Sequence, residues 1–167
     1  ISRITDKILP IVKEWQERPL EEVYAVVFMD AIHYHVRSEG RIVKRAVYIA
    51  LGIDMNGKKD VLGMYVGENE SAKFWHDNWA TLSTYFKYPE AVRRLIYTTN
   101  AIEGFNRQLR KVTKSKTVFP SDDSLLKMLY LATMDITKKW TGHRQDWGQI
   151  HSQLEIYFEE RLIGRSL

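Results

Sequence analysis

The hydrophobic pattern of this chain has a strand-like period over residues 23–67 and a helical period before and after that range. Residues 23–29 are almost continuously apolar and rich in β-branched and aromatic side chains, which predicts a strand buried on both faces. The Asn56-Gly57 pair is a strong hairpin signal, so the strand after it is expected to return antiparallel. We predict a three-stranded meander, with strands over residues 23–36, 42–53 and 60–66.

Helical spacing of apolar residues marks the two ends of the chain. Residues 1–19 form one such segment, in which Pro10 is expected to kink the helix or mark its true start. Ser121 is a good N-cap for a later helix. The apolar positions of the helices are Ile4, Ile8, Ile11, Val12 and Trp15, then Phe74, Trp75, Trp79, Leu82, Tyr85 and Phe86, then Leu125, Met128, Leu129, Ala132, Ile136 and Trp140, and finally Trp147, Ile150, Leu154, Phe158 and Leu162. Three strands followed by helices over residues 71–167 predict an α+β fold, with the helices covering at least one face of the sheet.

The composition excludes some classes of protein, and the distribution of charge indicates a class of partner. The chain has 167 residues, no cysteine and a net charge of +4, which excludes a disulfide framework and fits a cytoplasmic protein. No apolar run is long enough to cross a membrane. Residues 93–116 contain seven basic side chains and a single acid, Glu103. This stripe is suited to a phosphate backbone, although a charged segment is more often simply a solvated helix face.

Two carboxylates are the first candidates for chemistry. Asp30 comes at the end of an apolar strand, where a carboxylate is costly unless it is paired or binds a cation. An Asp that has just emerged into a loop is an equally good interpretation. Glu103 is predicted to share an exposed helix face with Asn106, Arg107 and Arg110, and an ordinary salt-bridged surface is the alternative.

Several other side chains are weaker candidates. Ile102, Phe105, Leu109 and Val112 are predicted to form the buried side of the Glu103 helix, and Thr98, Thr99 and Asn100 to cap it. His33 and His35 would share one face of their strand but not that of Asp30, so we interpret them as half-buried strand residues rather than metal ligands. Asp54 and Asp60 flank the hairpin turn and are predicted to be solvated.

Two long motifs resemble the mutator-type transposases of bacterial insertion sequences. They are YAVVFMDAIH at residues 24–33 and YTTNAIEGFNRQLRKVTK at residues 97–114. The similarity continues through residues 119–124, 138–140 and 147–148, and so covers nearly the whole chain. The resemblance implies a bacterial, nucleoid-associated protein that acts on double-stranded DNA.

The resemblance also implies a ribonuclease H-like core with three catalytic carboxylates. In such a core two Mg²⁺ (or Mn²⁺) ions support in-line attack on phosphodiesters. Asp30 matches the first carboxylate and Glu103 the last, and both would be catalytic residues and metal ligands. The side chains expected to lie near DNA are those of Asn106, Arg107, Arg110, Lys111 and Lys114.

One departure from the family pattern changes these expectations. In the family, the phenylalanine-tryptophan pair leads into a strand that carries the second catalytic aspartate, and a long, mostly helical insertion follows. Here Phe74-Trp75 is followed directly by residues that resemble the family sequence from beyond that insertion. The second catalytic aspartate and its strand are therefore expected to be absent, with Asp77 a weak substitute. We predict a single partial catalytic domain over residues 1–167: a helix in 1–19, a reduced ribonuclease H-like sheet in 23–67 and helices in 71–167.

The expected absence of the second aspartate and its strand leaves three possible functions. The first is a transposase by descent whose catalysis is impaired. The second is a non-catalytic DNA-binding remnant that inhibits full-length transposase, and the third is a nuclease that cuts but cannot join. We expect little discrimination between DNA sequences. The Asp30 strand would also become a sheet edge, covered by a helix or by a second copy that pairs through residues 23–36.

Overall fold

The fold is α+β, as the hydrophobic pattern predicts. The computed structural model describes residues 7–67, 99–143 and 145–159. Within these ranges the elements are helix α1 (Ile8–Glu17), strands β1 (Tyr24–Ser38), β2 (Arg41–Asp54) and β3 (Lys59–Gly67), and helices α2 (Asn100–Thr113), α3 (Asp122–Thr137) and α4 (Trp147–Tyr157). None of the helices in the described ranges has the length and apolar character to span a membrane. The predictions for Ile4, for residues 68–98 and for Leu162 concern positions outside the described residues.

The three strands form one antiparallel sheet in the order β1-β2-β3, which confirms the predicted meander. Asp30 on β1 is opposite Ile49 on β2, and Ile49 is opposite Met64 on β3. Side chains alternate between the two faces of a sheet, so this register decides which residues share a face. Along β1 the buried residues are Phe28, Ile32, Tyr34 and Val36. One face of the sheet therefore carries most of the core.

The first strand is longer than the hydrophobic run suggests. It extends from Tyr24 to Ser38 without interruption, and Asp30 lies in its middle. The interpretation of Asp30 as a strand-terminal residue is therefore wrong. The prediction that the apolar run is buried on both faces is also wrong, because Val27 is 44% and Met29 63% exposed on the face away from the helices. His33 and His35 lie on the face opposite Asp30, as predicted, but they are exposed rather than half-buried.

The Asn56-Gly57 pair does form the turn between β2 and β3. The Gly57 N–H donates to the Asp54 carbonyl at 3.0 Å. Asp54 Oδ1 accepts from the N–H groups of Asn56 and Lys58, each at 2.8 Å. Asp54 is therefore an organiser of the turn rather than a solvated flank. Gly57 has a φ of 76°, a left-handed conformation that favours glycine.

The helices and one face of the sheet share a single apolar cluster. The apolar stripe of α3 is confirmed in its buried residues Leu125, Leu129, Ala132 and Ile136, and that of α4 in Trp147, Ile150 and Leu154. The Ser121 side chain accepts from the Ser124 N–H at 3.1 Å, which confirms the predicted N-cap of α3. The core is thus assembled from elements far apart in sequence.

Helix α1 is attached to β3 by polar contacts at its C-terminal end. Arg18 Nη2 donates to Asp60 Oδ1 at 3.1 Å and to the Val61 carbonyl at 2.8 Å, and Nη1 donates to the Trp15 carbonyl at 2.7 Å. The guanidinium also lies 4.8 Å from the centre of the Trp15 ring. Asp60 is partly solvated, as predicted, with its side chain 44% exposed, but it also has a partner 42 residues earlier that the sequence pattern did not predict. Pro10 lies in the first turn of α1, where its missing N–H has no partner to lose.

The outer edge of β1 is paired over part of its length. The Arg37 N–H donates to the Phe119 carbonyl and the Phe119 N–H donates to the His35 carbonyl, both at 2.8 Å. The segment between α2 and α3 therefore covers the C-terminal end of this edge. A second copy pairing through residues 23–36 would be excluded from that end. Dimerisation over the rest of the strand stays a prediction, to be checked by sedimentation at high concentration.

We predict that Arg18→Ala lowers the free energy of unfolding by about 1–3 kcal/mol, because it removes charge-assisted hydrogen bonds to β3. Urea denaturation would measure the change. Lys13→Ala is the control, because Lys13 is exposed and its ion pair with Glu17 is long at 3.8 Å. It should change stability by no more than about 0.5 kcal/mol. Equal effects of the two variants would contradict the assignment of Arg18 as the link to β3.

Two glycines with nearly equal φ allow strain and steric clash to be separated. Gly40 (φ 77°) has open space where a Cβ would lie, whereas a Cβ on Gly57 would be 2.5 Å from Trp147 Cδ2. We expect Gly40→Ala to cost about 1 kcal/mol from backbone strain alone. Gly57→Ala should cost about 1–3 kcal/mol more, because Trp147 must move. Thermal unfolding of both variants tests this, and identical losses would mean that Trp147 does not pack on the turn.

Candidate active site

Asp30 lies on the helix-covered face of the sheet, on the same side of β1 as Phe28 and Ile32. Its carboxylate still reaches solvent, because β1 is an end strand of the three-stranded sheet. Asp30 Oδ1 accepts from the Ala31 N–H at 2.8 Å. Asp30 Oδ2 accepts from Asn106 Nδ2 at 2.6 Å. The carboxylate is thus held through both oxygens and remains accessible.

Glu103 lies in the first turn of α2 and is exposed. A carboxylate is favoured there by the positive end of the helix dipole. Glu103 Oε1 accepts from the Thr99 hydroxyl at 2.6 Å, and the Glu103 N–H donates to the Thr99 carbonyl at 2.9 Å. Thr99 is the residue preceding the helix, as predicted, but its hydroxyl binds the glutamate rather than capping a backbone N–H.

Asn106 links the two candidate carboxylates. It belongs to the same helix as Glu103 and lies three residues later, about 4.5 Å along the helix axis. Its side chain is only 2% exposed and contacts Asp30 on the strand. The residue that contacts Asp30 therefore lies about one helical turn from Glu103. The prediction that Asn106 lies on the exposed face of α2 is wrong.

The buried side of α2 differs from the predicted stripe at two positions. The buried residues are Ile102, Phe105, Asn106, Leu109 and Thr113. Val112, predicted to be buried, is 46% exposed. The register follows the ordinary i, i+3, i+4, i+7, i+11 pattern, in which position 106 is a core position occupied by an amide. A polar residue at such a position was the signal in the sequence that could have identified Asn106 as a site residue.

The opposite side of α2 carries the remaining basic candidates. Arg107, Arg110, Lys111 and Lys114 are all exposed, as their assignment to a DNA-facing surface requires. We call these four residues the basic face of α2. Their aliphatic parts and charges are available to a partner along more than one helical turn. Arg93 and Arg94, which belong to the predicted stripe, lie outside the described residues.

One oxygen of Asn106 is an unusual feature of the site. Its Oδ1 is buried and has no hydrogen-bond partner. A buried acceptor without a partner typically costs about 1–3 kcal/mol. The amide cannot be turned over to relieve this, because Asp30 is an acceptor and requires the Nδ2 group as donor. Burial also raises the pKa of the Tyr34 hydroxyl on the same strand as Asp30. The hydrogen bond with Thr113 and the charge of Arg110 act in the opposite direction and lower that pKa.

The candidate site offers only some of the groups that the divalent cations implied by the resemblance would need. Asp30 and Glu103 supply hard carboxylate oxygens, the ligand type that Mg²⁺ and Mn²⁺ prefer. Among the described residues, however, no group of three or more acidic, histidine or cysteine side chains is arranged to hold a metal ion. The described residues therefore supply the right ligand type and two of the three carboxylates that the resemblance implies, and Mg²⁺ is commonly bound through one or two carboxylates together with substrate phosphates. Asp77, the weak substitute, lies outside the described residues.

A protein-family comparison matches this chain in two pieces. The family described as "Transposase, Mutator family" matches residues 1–82 and residues 76–143. Together the two ranges cover well over half of the chain, and they meet at residues 76–82. This junction agrees with the interruption expected from the sequence after Phe74-Trp75.

Curated relatives of this chain include transposases of bacterial insertion sequences. The transposase for insertion sequence element ISRM3 of Rhizobium meliloti is 26% identical over 265 residues, covering 98% of this chain and 66% of that protein. The transposase for insertion sequence element IS406 of Burkholderia multivorans is 44% identical over 75 residues, covering 45% of this chain and 19% of that protein. The chain thus spans slightly less than two thirds of the first relative. Because 98% of 167 residues is about 164, about 100 of the 265 aligned positions have no counterpart here.

Proposed function

This chain belongs to the mutator family of transposases, and from that premise we propose that it binds double-stranded DNA beside an incomplete phosphoryl-transfer site. Asp30 and Glu103 are the first and last carboxylates of a ribonuclease H-like core, and the second aspartate is absent. The basic face of α2 contacts the phosphate backbone. The observation that carries this proposal is the contact between Asn106 and Asp30, because it joins the strand carboxylate to the helix that bears both Glu103 and the basic face.

The site is suited to part of the reaction. Divalent cations, when bound, would neutralise charge on the scissile phosphate and activate the attacking oxygen. Asp30 and Glu103 would hold them, and the exposed guanidinium groups of Arg107 and Arg110 would attract the phosphates on either side. Two carboxylates offer less negative charge than the three of a complete site. Binding of DNA therefore survives in this chain while excision and strand transfer are impaired.

Catalysis is tested with labelled insertion-sequence ends in Mg²⁺ or Mn²⁺, comparing the chain with Asp30→Asn. We expect the chain to bind the DNA and to form no strand-transfer product, because one carboxylate of the site is missing. Products would be resolved on denaturing gels, which separate cutting from joining. Strand transfer by the unaltered chain that disappears in Asp30→Asn would contradict the proposal that the site is incomplete. Asp77→Asn would then be the next variant, as the residue able to supply the third carboxylate.

DNA binding is tested by its dependence on salt. We expect Arg107→Ala/Arg110→Ala to weaken binding and to reduce the slope of log K against log salt by about 2, roughly one unit for each phosphate that the chain no longer neutralises. Fluorescence anisotropy at several salt concentrations measures both quantities.

The matched control removes the same charge elsewhere. Lys13 is exposed on α1, and Lys44 is exposed on the sheet face away from the helices. Lys13→Ala/Lys44→Ala should leave the slope almost unchanged. If both double variants reduce it equally, binding depends on net charge and not on the basic face of α2. Chelation of divalent cations should leave binding by the unaltered chain intact.

A further inference from the structure

Asn106 lies on the buried side of α2, which is mostly apolar. Its neighbours on the buried side of α2 are Ile102, Phe105 and Leu109, which belong to the core. Its Nδ2 donates to Asp30 Oδ2 at 2.6 Å, whereas its Oδ1 is buried without a partner. A leucine would fit this side of the helix and bring no unpaired acceptor. Packing of α2 alone therefore does not explain an asparagine at this position.

An amide has one property that a leucine lacks here. It can donate to a carboxylate from a buried position without bringing a charge into the core. The other oxygen of Asp30 is already held by the Ala31 N–H. With both oxygens engaged, the plane of the carboxylate is fixed relative to β1 and to α2. The lone pairs that remain on the two oxygens are available on the solvent side, where Asp30 is exposed.

We propose that Asn106 is a positioning residue for Asp30, rather than a DNA contact. It orients the Asp30 carboxylate and sets its spacing to Glu103 on the same helix, so that the two can act on one divalent cation. This inference rests on the proposed function in its choice of Asp30 and Glu103 as cation-binding groups. It is independent of whether the chain completes strand transfer. Partners that orient metal-binding side chains typically change metal affinity by about 10- to 100-fold when they are removed.

The test compares Asn106→Leu with a matched variant of the same helix. Gln108→Leu also exchanges an amide for leucine on α2, but Gln108 is exposed and donates only to the Gly104 carbonyl at 3.4 Å. For each full-length variant, Mn²⁺ binding is measured by electron paramagnetic resonance and stability by the urea midpoint. Asp30→Ala identifies the part of Mn²⁺ binding that depends on the site.

We expect Asn106→Leu to weaken the Asp30-dependent Mn²⁺ binding by about 10-fold or more, with a urea midpoint equal to or above that of the unaltered chain. Gln108→Leu should change neither quantity. Unchanged Mn²⁺ affinity in Asn106→Leu would overturn the inference. A lower urea midpoint together with unchanged affinity would assign Asn106 to packing alone.

A second measurement needs neither metal nor a folded Asn106→Leu chain. In ¹⁵N-labelled protein, the Asn106 side-chain NH₂ should exchange with solvent more slowly in the unaltered chain than in Asp30→Ala, because the hydrogen bond protects it. Equal exchange in the two chains would overturn the inference. If the unaltered chain shows no Asp30-dependent Mn²⁺ binding, the cation part of the proposed function fails, and this exchange measurement still decides whether Asn106 holds Asp30.

Discussion

The hydrogen bond from the buried amide of Asn106 to Asp30 is the interaction on which the arrangement of the site depends. It joins two residues that are 76 positions apart in sequence, one on an end strand and one on the helix that carries Glu103 and most of the basic candidates. The strand supplies a carboxylate on its buried face, and the helix approaches closely enough to hold it. Around this contact the apolar cluster of the sheet and helices is continuous. The polar pair is thus set at the rim of a core that fixes both partners.

Local patterns in the sequence were sufficient for much of the fold. The opposite faces of Asp30 and the two histidines, the Asn56-Gly57 turn and the Ser121 cap all depend on neighbours within a few residues, and each was predicted. The partners of Asp60 and Asn106 could not be found in this way. Arg18 and Asp30 come from elements far along the chain, and only the folded sheet brings them near. The sequence pattern alone placed both Asp60 and Asn106 at solvent-exposed positions.

The helix α2 shows how a small error in register changes the interpretation of a site. The predicted buried face of α2 included Val112 and left Asn106 exposed. In the structure the buried face instead includes Asn106 and Thr113. The two patterns share Ile102, Phe105 and Leu109, so the apolar residues alone do not distinguish them. The carboxylates Asp30 and Glu103 were candidates from their positions in the sequence, and the resemblance to a family suggested their catalytic roles. Their arrangement, with Thr99 holding one and Asn106 the other, required three-dimensional contacts.

Helix α2 is held on the sheet by contacts that come after its beginning. Asn106 binds the middle of β1, and Phe119, beyond the end of the helix, pairs with the far end of the same strand. These contacts fix the position of α2 on β1, so the connection that leads from β3 into α2 does not need to guide it. The entropy of closing such a connection changes slowly with length, by about 0.6 kcal/mol for each doubling. An evolving gene can lengthen or shorten that connection by many residues and leave the geometry of strand and helix in place.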